Sequence, residues 1–148
     1  MRTSLACAAA AALLMSSSAA AHVVLATPAA EAGSYYAGSF RVGHGCGASP
    51  TTALRIEIPE GVETARPQPK AGWAIEMEHS GERVRAVTWH GRLEADQFDE
   101  FGVLMHLPAS GETLTFPVTQ TCETGSASWT PELSLRGGQS IAPHAHRH

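Results

Sequence analysis

The sequence predicts an all-β domain built as an antiparallel β-sandwich. Short apolar or alternating runs recur along the chain, and Gly, Pro or acidic clusters separate them. Helical periodicity is nearly absent. These observations predict strands at residues 22–26, 34–42, 53–58, 73–78, 83–90, 101–107, 114–120 and 129–133.

Alternation is clearest at residues 54–58 and 83–87, where apolar side chains fall at every second position and charged ones take the other face. Residues 59–61 and 67–72 carry the Pro and Gly of turns and loops. Residues 93–100 are the only segment in which a short helical turn would fit. No internal repeat is visible.

The first 21 residues read as a cleaved signal peptide. Arg2 gives the positive start, residues 5–15 are apolar and rich in alanine, and Ala19-Ala20-Ala21 supplies the small residues before a cleavage site. A retained membrane anchor is the competing interpretation, but this apolar stretch is too short to span a bilayer. Because no second apolar segment of spanning length follows, we expect a periplasmic or secreted protein with no membrane span after cleavage.

The remaining residues fit one domain, at 22–135, followed by a flexible tail at 136–148. Without Arg2 the chain keeps nine basic against fourteen acidic residues, which argues against nucleic acid as a partner. No Gly-x-Ser-x-Gly, phosphate-binding loop or His-Glu-x-x-His motif is present, so we expect a protein that is not an enzyme. The histidines of the tail fit either a solvated segment or a weak metal-gathering element.

Two cysteines remain after cleavage, Cys46 and Cys122, because Cys7 leaves with the signal. An even pair in an oxidising compartment predicts a disulfide. His44 lies two residues before Cys46. If the cysteines stayed reduced, these three side chains would instead offer a Cu(I) site.

His22 becomes the first residue if the signal is cut after Ala21. A histidine at a free amino terminus offers a metal two nitrogens, the α-amine and the imidazole Nδ1, in one chelate ring. Two nitrogens and a carboxylate oxygen suit tetragonal Cu(II), whereas zinc prefers four tetrahedral ligands. The terminal residue therefore predicts a copper-type ligand pair.

Several short motifs occur in a fixed order after the signal. The motifs are His22-Val23, Gly33-Ser34-Tyr35, Ser49-Pro50-Thr51-Thr52, Ile58-Pro59, Pro69 with Gly72-Trp73, Val87-Thr88-Trp89 with Gly91, Glu100-Phe101, and Trp129. In this order the chain resembles the YcnI-like copper-binding domain family of exported bacterial proteins.

The resemblance implies an immunoglobulin- or fibronectin-like sandwich that binds Cu(II) through its terminal histidine, a carboxylate and a nearby tryptophan. On this sequence the resemblance assigns those roles to His22, Glu100 and Trp129. Glu82 and Glu78 are the alternative carboxylates.

Each assigned residue also has a simpler interpretation. Glu100 would serve equally as a solvated residue of an acidic stretch, and Trp129 as an ordinary core residue. For Trp73 and Trp89 the core interpretation is preferred. His44 is a candidate auxiliary ligand if the cysteines are paired.

The implied function is that of a copper-binding protein in copper homeostasis, which stores, buffers or transfers Cu(II) outside the cytoplasm. Its partners would be the copper ion and another copper chaperone or a copper transporter. Two alternatives belong to other classes. One is an oxidative copper enzyme with the site chemistry of polysaccharide monooxygenases, and the other is a metal-free interaction module.

Overall fold

The structure is a computed structural model and describes residues 23–138. His22, the signal segment and the histidines of the tail lie outside the described residues. The strands of the described part are β1 (Val23–Leu25), β2 (Ala29–Glu31), β3 (Tyr35–Val42), β4 (Thr51–Glu57), β5 (Thr64–Pro67), β6 (Ala74–Ser80), β7 (Arg83–Leu93), β8 (Asp99–His106), β9 (Thr113–Thr115), β10 (Val118–Cys122), β11 (Ser126–Trp129) and β12 (Glu132–Arg136).

Two sheets form the body of the fold. One has four strands in the order β1-β3-β8-β5, and the other has five in the order β11-β10-β4-β7-β6. A third sheet, β2-β12-β9, contains a parallel pair between β12 and β2. All other strand pairs of the described chain are antiparallel, and the predicted all-β sandwich is confirmed.

Aromatic side chains from the two main sheets meet in the core. Trp89 of β7 and Phe101 of β8 are fully buried, and their rings lie 5.5 Å apart in an edge-to-face arrangement. The ring of Trp73 also packs on Phe101, with centroids 5.1 Å apart, again edge to face. The core interpretation of Trp73 and Trp89 is therefore confirmed. Edge-to-face pairs of this kind add to the stability that burial provides.

The strand boundaries differ from the prediction where a proline interrupts a strand or where a strand is very short. The predicted strand 114–120 is two strands, because Pro117 has no N–H to donate to a ladder. Pro131 likewise separates β11 from β12 in the predicted segment 129–133. The sequence analysis missed β2 and β5. The first has three residues, and the second is an edge strand that ends at Pro67, within the predicted 67–72 loop.

The segment predicted as a short helical turn forms a tight turn between β7 and β8. The backbone N–H of Gln97 donates to the carbonyl of Glu94 at 3.1 Å, and Asp99 already belongs to β8. Residues 23–138 contain no helix long and apolar enough to cross a membrane. At the other end of the domain, β12 extends to Arg136.

Candidate metal centre

The start of β1 and the end of β11 enclose a common cavity. Both strands are edge strands of their sheets, and the cavity between them measures about 290 Å³. It is lined by Val23, Val24, Ser128, Trp129, Thr130 and Pro131. The side chain of Val23 points into the core, whereas Val24 is exposed. The residue that precedes Val23 in the chain is His22, so the predicted terminal ligand is covalently attached to one wall of this cavity.

Trp129 is partly buried at the opposite wall. Its backbone pairs with Val118 of β10, which makes Gln120 its diagonal neighbour on the inner face of the sheet. The indole Nε1–H donates a hydrogen bond to Oε1 of Gln120 at 3.1 Å. Trp129 also packs against the core, as its core interpretation predicted, and it lines the cavity beside β1. Its role in a copper site stays a prediction.

Gln120 is a buried polar residue that the sequence analysis did not single out. Its Oε1 accepts from Trp129, and its Nε2 donates to the carbonyl of His44 at 2.9 Å and to Oγ1 of Thr51 at 2.8 Å. Thr51 is fully buried as well. A signal was present, since Gln120 lies between Val118 and Cys122 at the inward positions of an alternating strand.

Glu100 lies on β8 and is engaged by two neighbours on β3. Arg41 donates to Oε1 from Nε at 2.8 Å and from Nη2 at 2.6 Å, and Ser39 donates to Oε2 at 3.0 Å. The hydrogen bond from Arg41, followed by that from Ser39, lowers the pKa of Glu100 below its ordinary value. The carboxylate is therefore ionised at neutral pH, which is the form that coordinates a metal.

The position of Glu100 relative to β1 follows from the strand register. Val24 pairs with Arg41, and Arg41 pairs with Glu100, so these residues form one row across β1, β3 and β8. Two strand spacings separate Glu100 from β1, which is about 10 Å between backbones. The structure thus places Trp129 directly beside the start of β1, and Glu100 on the same sheet at some distance, with Arg41 in between.

The two alternative carboxylates lie at the far edge of the other sheet. Glu78 is on β6, four strands from β11, a separation of about 19 Å at the usual strand spacing. Arg55 donates to Glu78 through Nε at 2.8 Å, and Arg85 lies 3.5 Å away. Glu82 is in the turn that joins β6 to β7. Of the three carboxylates, Glu100 is the one on the sheet that contains β1.

His44 lies in the loop after β3, and its ring is half-buried. Nδ1 is 2.6 Å from the carbonyl of Gly45, and because a carbonyl only accepts, Nδ1 carries the proton. In the neutral imidazole Nε2 then presents its lone pair, as a metal ligand must. Through its own carbonyl His44 is linked to Gln120 and hence to Trp129.

The predicted disulfide joins Cys46 to Cys122, with Cα atoms 6.1 Å apart. It links the loop that contains His44 to the end of β10, so both sulfur atoms are bonded to each other rather than available as thiolates. Within residues 23–138 no three His, Cys, Asp or Glu side chains are grouped closely enough to hold a metal ion. His22, the predicted terminal ligand, lies just outside these residues.

Fold and site together describe an immunoglobulin-like β-sandwich domain with a candidate ligand site at the start of its first strand. The chain belongs to the family described as "Domain of unknown function (DUF1775)", whose model matches residues 22–145. This match supports the resemblance found in the sequence.

One relative of assigned function is the copper-binding protein CutI of Bacillus subtilis (strain 168). It is 26% identical over 96 residues, which cover 62% of this chain and 47% of CutI. The aligned region thus spans about half the length of that relative. A solved structure of an uncharacterized protein from Nocardia farcinica, described as having an immunoglobulin-like fold, has a TM-score of 0.70 and 28% identity. The match covers 78% of this chain and 99% of the Nocardia protein.

Proposed function

We propose that this protein binds Cu(II) outside the cytoplasm and acts in copper homeostasis, by storing, buffering or transferring the ion. The α-amine and imidazole of His22 would supply two nitrogens, Glu100 a carboxylate oxygen, and Trp129 a wall of the site. The observation that carries the proposal is the cavity shared by Val23, Val24 and Trp129, because His22 is joined directly to Val23.

The chemistry of these groups fits copper. A terminal amine has an ordinary pKa of about 8 and loses its proton when a divalent ion coordinates it. Two nitrogens with an ionised carboxylate suit tetragonal Cu(II), and Cu(II) leads the affinity order of divalent first-row metals. The name of the relative CutI, a copper-binding protein, supports copper as the metal.

Glu100 can coordinate copper only alongside or in place of its present hydrogen bonds. Arg41 and Ser39 already donate to both of its oxygens, so coordination would use the lone pairs these donors leave or would displace Arg41. His44 is proposed as an auxiliary group near the site, with Nε2 as its donor atom. Another copper chaperone or a copper transporter would supply or receive the ion.

Export and a non-catalytic role belong to the same proposal. A disulfide between Cys46 and Cys122 is typical of proteins that fold in an oxidising compartment, which supports a periplasmic or secreted location after cleavage of residues 1–21. The oxidative-enzyme alternative is tested by reductant-dependent oxygen consumption of the copper-loaded protein. Turnover above that of free copper would contradict the non-catalytic role.

The decisive experiment is electron paramagnetic resonance during Cu(II) titration of protein that begins at His22. A matched version carries one extra residue before His22, which removes the terminal amine from the histidine and changes nothing else in the domain. We expect one tight tetragonal site with nitrogen couplings, lost in the extended version. Equal binding by both versions would refute the terminal-histidine site and direct attention to His44 or to the tail.

A further inference from the structure

A single buried amide connects two parts of the candidate site, Trp129 and the His44 loop, and is also anchored to the hydroxyl of Thr51 outside it. Gln120 is 1% exposed and lies on β10, two residues before Cys122. It contacts the indole of Trp129, the backbone of His44 and the hydroxyl of Thr51. His44 in turn lies two residues before Cys46, so the amide and the disulfide link the same two segments at neighbouring points.

The chemistry of the partners fixes the orientation of this amide. The indole N–H only donates, so Oε1 must face Trp129, and the carbonyl of His44 only accepts, so Nε2 must face His44. An amide flipped by half a turn would oppose donor to donor and acceptor to acceptor. Because the two partners differ in polarity, the orientation is decided by hydrogen bonding on both sides.

The same bonds restrict Trp129. Its indole donates a directional hydrogen bond to a side chain that is itself anchored at two further points. Buried polar networks that are fully bonded select one arrangement of their members. Trp129 lines the cavity at the start of β1. By fixing the orientation of the indole, Gln120 therefore also fixes the shape of that wall of the cavity.

We propose that Gln120 is a positioning residue of the copper site, which holds the indole of Trp129 and the His44 loop in the arrangement that receives the ion. This inference rests on the proposed function above. Gln120 itself does not contact the metal. Groups that orient the immediate surroundings of a bound metal typically change its affinity by about 10-fold to 100-fold when they are lost.

The variant Gln120→Met keeps the length of the side chain and removes all three hydrogen bonds. We expect the Cu(II) dissociation constant to rise by about tenfold, the lower limit for such groups. Thr51→Val is the matched control, because Thr51 is equally buried in the same network but does not contact Trp129. The Cu(II) dissociation constant of Thr51→Val should stay within about twofold of the wild-type value, well short of the increase expected when a positioning group is lost.

A metal-free readout tests the same inference independently. The chain has three tryptophans, and the indole N–H signal of Trp129 is identified in ¹⁵N spectra by its disappearance in Trp129→Phe. We expect its hydrogen exchange to accelerate in Gln120→Met and to stay slow in Thr51→Val. Slow exchange of the Trp129 N–H in Gln120→Met would overturn the positioning role.

The double variant tests whether Gln120 acts through Trp129. If it does, Gln120→Met in a Trp129→Phe background has little further effect on the dissociation constant, whereas independent effects would add. Full additivity, or wild-type affinity in Gln120→Met, overturns the inference and leaves the proposed function intact. Failure of wild-type protein with a free His22 to bind Cu(II) overturns the proposed function itself. Should Gln120→Met not fold, Gln120→Asn replaces it, since the shorter amide cannot reach Trp129 and His44 together.

Discussion

Gly91 offers the sharpest test of the packing around Trp73. A Cβ built on Gly91 would lie 2.5 Å from Cε3 and 2.7 Å from Cε2 of Trp73, and closer still to Cδ2. Carbon atoms in favourable contact are about 3.5–4.0 Å apart, so the indole must move by about 1 Å. The ring cannot move alone, because it packs edge to face on Phe101, which packs in the same way on Trp89.

We therefore expect Gly91→Ala to destabilise the domain by about 1–3 kcal/mol, the usual cost of overpacking. For a domain of this size that lowers the melting temperature by about 4–12 °C. Urea unfolding followed by tryptophan fluorescence measures the change. Gly43→Ala is the matched control, since a Cβ there meets nothing within 4 Å. Equal stability of the two variants would refute the argument that Gly91 is required by the Trp73 ring.

Three further predictions concern charge, copper and the disulfide. Hydrogen bonds to Glu78, first that from Arg55, lower its pKa. Its stabilising effect is therefore present above the unfolded-state pKa and is lost as the pH falls through the lowered folded-state pKa. Glu78→Gln should lower the urea midpoint at neutral pH, and the difference should vanish in acid; a constant difference would contradict the ion-pair argument. Glu100→Gln should weaken Cu(II) binding by about tenfold or more in competition titrations, as expected when a group of a metal site is lost. Glu82→Gln should not, and equal affinities would remove Glu100 from the site. Reduction of the disulfide, which closes a separation of 76 residues, should lower the free energy of unfolding by up to about 4 kcal/mol, and an unchanged urea midpoint would refute this.

Period-two alternation predicted the body of the sandwich because its long strands have one buried face. In β8, and in β4 from Leu54 onwards, the buried side chains fall at every second position, which is the pattern that the sequence displays directly. The three-residue strands β2 and β9 are too short for such a pattern. Both pair with β12, which lies elsewhere in the chain, so no pattern of neighbouring residues predicts these pairings.

The candidate site was also predictable only in part, because contacts between separate strands leave no pattern in the sequence. Motif order assigned Trp129 and Glu100 to the site, and that assignment stays a prediction. The cysteine count predicted the disulfide, which the structure contains. The hydrogen bond between Arg41 and Glu100 depends on the register of β3 against β8, which cannot be predicted from the sequence pattern. Gln120 was overlooked because a polar residue at an inward position looks like an interruption of the apolar pattern, although a buried amide requires partners.

The position of the site at the edge of the sandwich explains why these features occur together. In a β-sandwich, core side chains fill the space between the two sheets along the centre. At the edges, where β1 and β11 face each other here, a cavity remains between the sheets. The proposed ligand His22 is joined to Val23, which lines this opening. An opening between two sheets also interrupts apolar packing, so polar groups near it can be buried only if they are bonded to each other. The bonds from Gln120 to Trp129 and His44 satisfy this requirement. In the proposed copper site they would hold Trp129 as a fixed surface beside the residue that precedes β1.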